Sequence, residues 1–181
     1  YISTYSYDGS DRLQAFIDPL NHRTTFGWDG SGQRIEILDA IGARTTFGYN
    51  ARGQVEFIQD PLGNRSTTSY DTLGRSEALI SALGNRVTQV YDGYSQVQAT
   101  INQLGNRTTF TRDLMNRVKT IQDSLGFVTT FAYDLNGQRT TVQDALGSVT
   151  TALYDSRGRV DVTIDALGYR TSSTFDGVGN L

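Results

Sequence analysis

The chain has 181 residues, a formal net charge of −3 at pH 7 and no cysteine. This acidic balance lacks the basic stripe that sequence-independent nucleic-acid binding requires, so nucleic acid is not an expected partner. The absence of cysteine excludes disulfides and thiolate metal sites. No run of 18 apolar residues occurs, so no membrane span is predicted.

An aromatic residue followed by Asp or Asn recurs every 21 residues without insertion or deletion. The pairs are Tyr7-Asp8, Trp28-Asp29, Tyr49-Asn50, Tyr70-Asp71, Tyr91-Asp92, Tyr133-Asp134, Tyr154-Asp155 and Phe175-Asp176. At the one remaining position of this phase, Arg112 precedes Asp113 in place of an aromatic residue. A fixed period of this size predicts tandem repeats, none of which buries its own face alone. We expect residues 1–181 to be one array of eight full repeats, with partial repeats at both ends, cut from a larger protein.

The first predicted element of each repeat is a turn that begins at the Asp of the pair. Glycine follows three residues after that Asp at Gly32, Gly53, Gly74, Gly137 and Gly158. Asp at the first position of a type I turn caps it, and Gly at the fourth accepts a positive φ, which is a common β-hairpin connection. Asn116 tolerates that conformation. Asp11 and Ser95 fit it less well, so looser turns are expected at Asp8 and Asp92.

A strand, a second turn and a second strand complete the repeat. The first strand alternates in polarity, as in 96–101 and 159–164, which is typical of a half-buried strand. The second turn repeats the Asp-x-x-Gly pattern, with Ser81 and Asn102 in place of Asp in two repeats. It ends at Gly42, Gly63, Gly84, Gly105, Gly126, Gly147 and Gly168. The second strand, as in 44–49 and 107–111, is rich in β-branched and aromatic residues. No segment has helical periodicity, so the predicted fold class is all-β, with tandem hairpin repeats forming a continuous antiparallel ribbon.

Two rows of side chains follow from this ribbon. The phased aromatic residues are expected to stack on one face, and leucines are expected along one edge, at Leu62, Leu83, Leu104, Leu125, Leu146 and Leu167. Arg112 interrupts the aromatic row, and is either a cation–π partner of a neighbouring ring or a tolerated defect. An alternative role for the aromatic row is to bind sugars by stacking, with Trp28 as the best candidate. We favour the interpretation that the row packs the repeats together.

The sequence Tyr154-Asp155-Ser156-Arg157-Gly158-Arg159-Val160, followed by Asp165-Ala166-Leu167-Gly168, resembles the YD repeat of the Rhs family. That family includes the shell components of insecticidal toxin complexes and the animal teneurins. The resemblance implies a β-ribbon that coils into part of a hollow shell or barrel. In bacterial members, such a shell encloses a toxic C-terminal segment. Other members are extracellular or wall-associated scaffolds.

The resemblance therefore implies a structural segment of a bacterial secreted or cell-surface protein, with neighbouring repeats and an enclosed C-terminal effector as partners. The alternative is an adhesion, wall-associated or filament scaffold, with cell-surface glycans as partners. The family's self-cleavage motif is similar to Asp60-Pro61-Leu62-Gly63-Asn64 at four of five positions. This segment lies within the array, and other repeats carry the same turn without Pro, so we interpret it as an ordinary repeat turn.

No other residue pattern indicates chemistry. His22 is the only histidine and occupies a turn flank that accepts many residue types, so neither a nucleophilic nor a zinc site is predicted. One Asp per loop, without an Asp-x-Asp pattern, does not indicate calcium. The evenly spaced arginines Arg23, Arg44, Arg65, Arg86, Arg107 and Arg170 are expected to form a solvated row. We expect no catalytic residue, cofactor or metal, and assign the phased residues a structural role.

Overall fold

The computed structural model describes residues 2–180, which contain seventeen β-strands and no helix. The strands are β1 (Thr4–Tyr7), β2 (Leu13–Ile17), β3 (Arg23–Trp28), β4 (Arg34–Leu38), β5 (Arg44–Tyr49), β6 (Val55–Gln59), β7 (Arg65–Tyr70), β8 (Ser76–Ile80), β9 (Arg86–Tyr91), β10 (Val97–Ile101), β11 (Arg107–Arg112), β12 (Val118–Gln122), β13 (Val128–Tyr133), β14 (Arg139–Gln143), β15 (Val149–Tyr154), β16 (Val160–Ile164) and β17 (Arg170–Ser172). They are antiparallel members of one sheet. The all-β fold class predicted from the period is therefore confirmed.

The chain divides into two compact units, Tyr1–Thr88 and Gln89–Leu181. The first unit holds β1–β8 and the beginning of β9, and the second holds the end of β9 and β10–β17. Within each unit, every strand pairs with the strand before it and the strand after it in the chain. Because all pairings are between sequence neighbours, each unit is a ribbon of hairpins.

The hairpin from an odd-numbered to an even-numbered strand carries a bulge one residue before its turn. In β3–β4, Gly27 pairs with Glu36 but Trp28 pairs with Arg34, so Ile35 is an extra residue. The same shift recurs in other hairpins of this type. A bulge bends its strand and increases the local twist.

The hairpin from an even-numbered to an odd-numbered strand has a regular but short register. β4 and β5 share three residue pairs, of which the last is Glu36 with Thr46. β4 begins before that pair and β5 continues beyond it to Tyr49, so the two strands separate. A gap opens at this end of every repeat, and the phased aromatic position lies beside it.

Both kinds of turn have the predicted conformation. The fourth residue has a positive φ at thirteen glycines and also at Asp11, Asn21, Ser95 and Asn116. The expected loosening at Asp8 and Asp92 is wrong. The hydrogen bonds from Asp11 N to Asp8 O and from Ser95 N to Asp92 O are both 3.1 Å, within the range of 2.9–3.2 Å seen at the other turns. A side chain at positive φ costs conformational energy, but the turn keeps its geometry.

The even-numbered strands are one residue shorter at their start than the sequence pattern indicates. Gln96 and Arg159 belong to the turns, because their carbonyls accept the hydrogen bonds from Asp92 N and Asp155 N.

Few side chains are buried. Among the described residues, the buried apolar ones are small or medium in size, and all occupy the third position of an even-numbered strand: Ala15, Ala78, Ala99 and Val162. Stability must therefore depend on contacts between adjacent repeats.

Candidate functional site

The aspartates at the turns act as caps, as predicted. Asp155 Oδ1 accepts hydrogen bonds from the backbone N–H groups of Arg157 and Arg159, both at 2.9 Å, and Oδ2 accepts one from Arg159 Nε at 2.7 Å. The Arg159 backbone bond is the main cause that holds the pKa of Asp155 below its ordinary value. The pKa is lowered in the same direction at Asp8, Asp18, Asp60, Asp71, Asp113 and Asp176. Each of these carboxylates accepts hydrogen bonds within its own turn.

Asp60, in the segment similar to a self-cleavage motif, has the same arrangement. Its carboxylate accepts bonds from the backbone of Leu62 and Asn64 and from the Asn64 side-chain amide, at 2.8–2.9 Å. The Asn64 side chain is the first cause of the lowered pKa of Asp60. A carboxyl with a lowered pKa is a poor proton donor, so the geometry favours a repeat turn.

His22 lies on an exposed turn flank, as the sequence indicates, and its Nδ1 is 2.9 Å from Asp18 Oδ2. Among residues 2–180, no group of three or more His, Cys, Asp and Glu side chains lies close enough together to hold a metal ion.

Four tyrosines of the phased series each join their repeat to the preceding one by a hydrogen bond, whereas Tyr91 Oη donates to Gln89 Oε1 at 2.6 Å. In each of the four, the acceptor follows one rule. The Oη donates to the carbonyl of the first residue of the preceding even-numbered strand, fifteen residues earlier, across the gap left by the short register. This bond is 2.8 Å in each pair, Tyr49 with Arg34, Tyr70 with Val55, Tyr133 with Val118 and Tyr154 with Arg139. Trp28 makes the equivalent bond from Nε1 to Leu13 O at 2.9 Å.

The expected stacking of these aromatic rings on each other is wrong. Trp28, Tyr49, Tyr70, Tyr133 and Tyr154 make no ring–ring contact, and the ring pair found among the described residues is Tyr5 with Phe16. Each of these side chains instead donates a hydrogen bond to the preceding even-numbered strand. Trp28 is half-buried, its indole N–H is bonded to Leu13 O, and the Arg12 guanidinium lies 5.8 Å from its ring centre, which fits the interpretation as packing.

An arginine on the last residue of the first turn strengthens this junction in several repeats. Arg117 Nε and Nη2 both bind Asp113 Oδ2 at 2.7 Å, and Nη1 donates to the carbonyl of Asp134 in the next repeat at 3.1 Å. Its guanidinium lies 4.5 Å from the ring centre of Tyr133. Arg12 lies similarly over Trp28 at 5.8 Å and Arg159 over Phe175 at 4.1 Å. We call this combination of phased aromatic residue, preceding carbonyl and Arg the inter-repeat clamp.

Where the clamp arginine is replaced by glutamine, an amide reaches the next turn. Gln54 Nε2 donates to Gly74 O at 2.7 Å, and Gln138 Nε2 donates to Gly158 O at 3.0 Å. Both residue types therefore carry backbone hydrogen bonding from one repeat to the next. This position was not predicted from the sequence, although Arg or Gln stands four residues after the phased Asp or Asn at positions 12, 33, 54, 75, 96, 117, 138 and 159.

Arg112 does not make the cation–π contact that was one of the two roles expected for it. Its Nη1 donates to Asn116 O at 3.3 Å, within its own turn, and no aromatic ring in the described part of the chain lies against its guanidinium. The interpretation as a tolerated defect in the aromatic series fits this geometry.

The evenly spaced arginines of the odd-numbered strands are exposed, as expected. Three of them have specific neighbours, and one of these is Arg86, whose Nε donates to Thr88 Oγ1 at 3.2 Å. Arg44 forms an ion pair with Glu36 at 3.3 Å, and the guanidinium of Arg65 lies 3.6 Å from the ring centre of Phe57. Exposed ion pairs of this kind contribute little to stability.

The leucine row lies at the tips of the second turns. In the first unit, Leu62 and Leu83 are each 87% exposed, and in the second unit Leu146 is 88% exposed. The other apolar residues at this turn position are also exposed: Leu20, Ile41, Leu104, Leu125 and Leu167. Each unit therefore presents apolar side chains at one set of turns.

The fold and contacts define a tandem β-hairpin repeat protein whose side chains join neighbouring repeats. Residues 116–149 match the family model described as RHS Repeat, and the 21-residue register continues on both sides of that match. Over that segment the resemblance to the Rhs repeat, which the sequence motifs indicate, is confirmed. No curated protein matches the chain.

The chain is similar in fold to crystal structures of TcdB2-TccC3 proteins. It aligns with TcdB2-TccC3-TEV at a TM-score of 0.68 and 11% identity, over 98% of this chain and 11% of that one. With TcdB2-TccC3 without hypervariable C-terminal region, the TM-score is 0.67 at 10% identity, over 98% and 11% of the two chains. The chain thus spans about one tenth of the length of these proteins. Residues 2–180 contain no helix with the length and apolar character that a membrane crossing requires.

Proposed function

We propose that this chain is a wall segment of an Rhs/YD-repeat shell in a bacterial secreted or cell-surface protein, and that the shell encloses a C-terminal toxin or effector. The single observation that carries the proposal is the inter-repeat clamp. At five junctions the phased aromatic residue donates a hydrogen bond to the preceding repeat, and the sheet has few buried side chains. Such an arrangement suits a wall, because each repeat needs only its neighbours and can be added without limit.

The likeness in fold to TcdB2-TccC3 supports a wall within a much longer chain. One of the matched structures is described as TcdB2-TccC3 without hypervariable C-terminal region, and this description of that protein is our reason to propose a C-terminal effector here. Enclosure is a physical mechanism: closing a sheet removes its edges and separates an interior from solvent. Secretion, and the enclosed effector as partner, are parts of this proposal.

Protease protection in the full-length parent protein tests enclosure. The parent protein is treated with a nonspecific protease, and survival of the segment after the repeats is followed by mass spectrometry. We expect that segment to resist digestion in the intact protein and to be degraded when produced alone. Equal rates of digestion in the two settings would refute enclosure and favour the open scaffold.

A weakened wall gives a matched comparison. Tyr133→Ala with Tyr154→Ala removes two clamps, whereas Leu146→Ser alters an exposed turn tip. We expect faster digestion of the enclosed segment in the clamp variant only. Electron micrographs of the parent protein should show closed hollow particles, and extended filaments would contradict the proposal.

A further inference from the structure

The clamp is missing its aromatic ring at one place in the second unit, and a cavity lies there. The pairing of β10 and β11 ends at Ala99 with Thr109, as at the other junctions, so the strands separate beyond it. The residue that should fill this gap is Arg112, but its guanidinium is turned to Asn116 O. We call the resulting cavity the Arg112 notch, and its volume is about 610 Å³.

The equivalent positions in the same chain show what chemistry such a gap accepts. At four junctions it holds a phenol ring whose Oη donates to the carbonyl fifteen residues earlier, at 2.8 Å. By the same register, the acceptor in the Arg112 notch is Val97 O. Val97 and Arg112 both line the notch, together with Gln98, Phe110 and Thr111.

The size and electrostatics of the notch fit a phenol. An apolar cavity of about 150 Å³ accommodates benzene, so this notch holds a substituted ring and the start of a connecting chain. Phe110 offers an apolar wall, and Arg112 places a cation among the residues that line the notch. The residue at the clamp-arginine position of this junction is Gln96, so Arg112 faces no second guanidinium from that position.

We propose that the Arg112 notch binds a tyrosine side chain presented by another polypeptide segment, which completes the interrupted clamp. The ring enters between β10 and β11, and its hydroxyl donates to Val97 O. This inference does not depend on the proposed shell, since it uses contacts within one junction of the second unit.

Peptide binding tests the proposal. N-acetyl-Gly-Tyr-Gly-amide is titrated into the isotopically labelled 181-residue chain, and backbone amide shifts are followed by NMR. We expect saturable shifts confined to the residues lining the notch. The Phe counterpart of the peptide should bind about 3- to 10-fold more weakly, because it lacks the hydrogen bond to Val97 O. Equal affinity of the two peptides, or shifts scattered over the sheet, would overturn the proposal.

Two variants make the test independent of folding. Arg112→Tyr supplies the missing ring in cis, so it should abolish binding and raise the midpoint of thermal unfolding. Tyr154→Arg reproduces the notch at a second junction, which also has glutamine at the clamp position, Gln138. That variant should acquire a second set of shifts around Arg139. Unchanged binding by Arg112→Tyr, or no new site in a folded Tyr154→Arg chain, would contradict the inference.

Discussion

The backbone conformation of the turns determines which residue types occupy the turn positions of this chain. Asp at the first position accepts two backbone N–H bonds, and the fourth residue adopts a left-handed conformation in every described turn. The penalty for a side chain at positive φ depends on its shape: Asn tolerates it, whereas β-branched residues do not. This explains why the non-glycine exceptions are Asp, Asn and Ser.

Gly147 provides the sharpest test at this scale. Its φ is +87°, and a Cβ there would have only the Gln143 side-chain amide nearby, at 3.9 Å. Any cost of substitution is therefore conformational. We expect Gly147→Val to lower the free energy of unfolding by about 1 kcal/mol or more and Gly147→Asn to be much milder. Equal losses for both variants in urea unfolding would disprove the left-handed assignment.

The capping carboxylates predict the response to acid. The Arg117 side chain and then the Arg117 backbone N–H hold the pKa of Asp113 below its ordinary value of 3.8. The carboxylate form is thus favoured by folding, and its contribution is present above that value and lost as the pH falls through the lower folded pKa. The urea midpoint should be level near neutral pH and fall below about pH 4. Asp113→Asn should lower the midpoint at pH 7 and reduce its dependence on acid.

At the scale of the strand pair, the clamp hydroxyl predicts a specific loss. Tyr133→Phe removes the bond to Val118 O and keeps the ring, so we expect a loss of about 0.5–1.5 kcal/mol in the free energy of unfolding. Tyr7→Phe is the matched control, because Tyr7 is 59% exposed and no repeat precedes it in the described chain. Similar losses from both variants would show that the hydroxyl bond does not join the repeats.

A glycine in β5 shows how closely two paired strands approach. A Cβ on Gly48 would overlap the ring of Phe57, which lies over the glycine from the opposing strand. Gly48→Val should destabilise by about 1–3 kcal/mol through this overlap. In the Phe57→Ala background the same change should cost less, with a coupling energy of about 1 kcal/mol. Additive effects in denaturant unfolding would mean that the ring moves aside freely.

The sequence predicted the turns and strands well because the signals for them are local. An Asp that is followed three residues later by a Gly indicates a turn regardless of its surroundings. Alternation of polar and apolar residues indicates a strand. The partner of the tyrosine hydroxyl could not be predicted in the same way. That bond exists because a bulge and a short register separate two strands, and Ile35, the extra residue at the bulge, has no distinctive sequence signal. Stacking was therefore expected where the molecule uses a hydrogen bond across a gap.

At the scale of the whole molecule, stability is a sum over repeats and their junctions, so phase matters more than length. Deleting residues 131–151 removes 21 residues and joins Thr130 to Ala152, which restores the sequence of a strand in phase. Deleting residues 131–150 leaves one extra residue in that strand. A slip of one residue moves side chains to the opposite face and takes Tyr154 out of its clamp.

We therefore expect the longer deletion to be the less harmful of the two. The 21-residue deletion should retain the β-sheet circular dichroism spectrum and a cooperative unfolding transition. The 20-residue deletion should be less stable than it by roughly 1 kcal/mol or more, because a register error disrupts the pairing on both sides. Equal stabilities in urea unfolding would show that the repeats do not depend on their shared phase, and would remove the basis for interpreting the chain as a continuous wall.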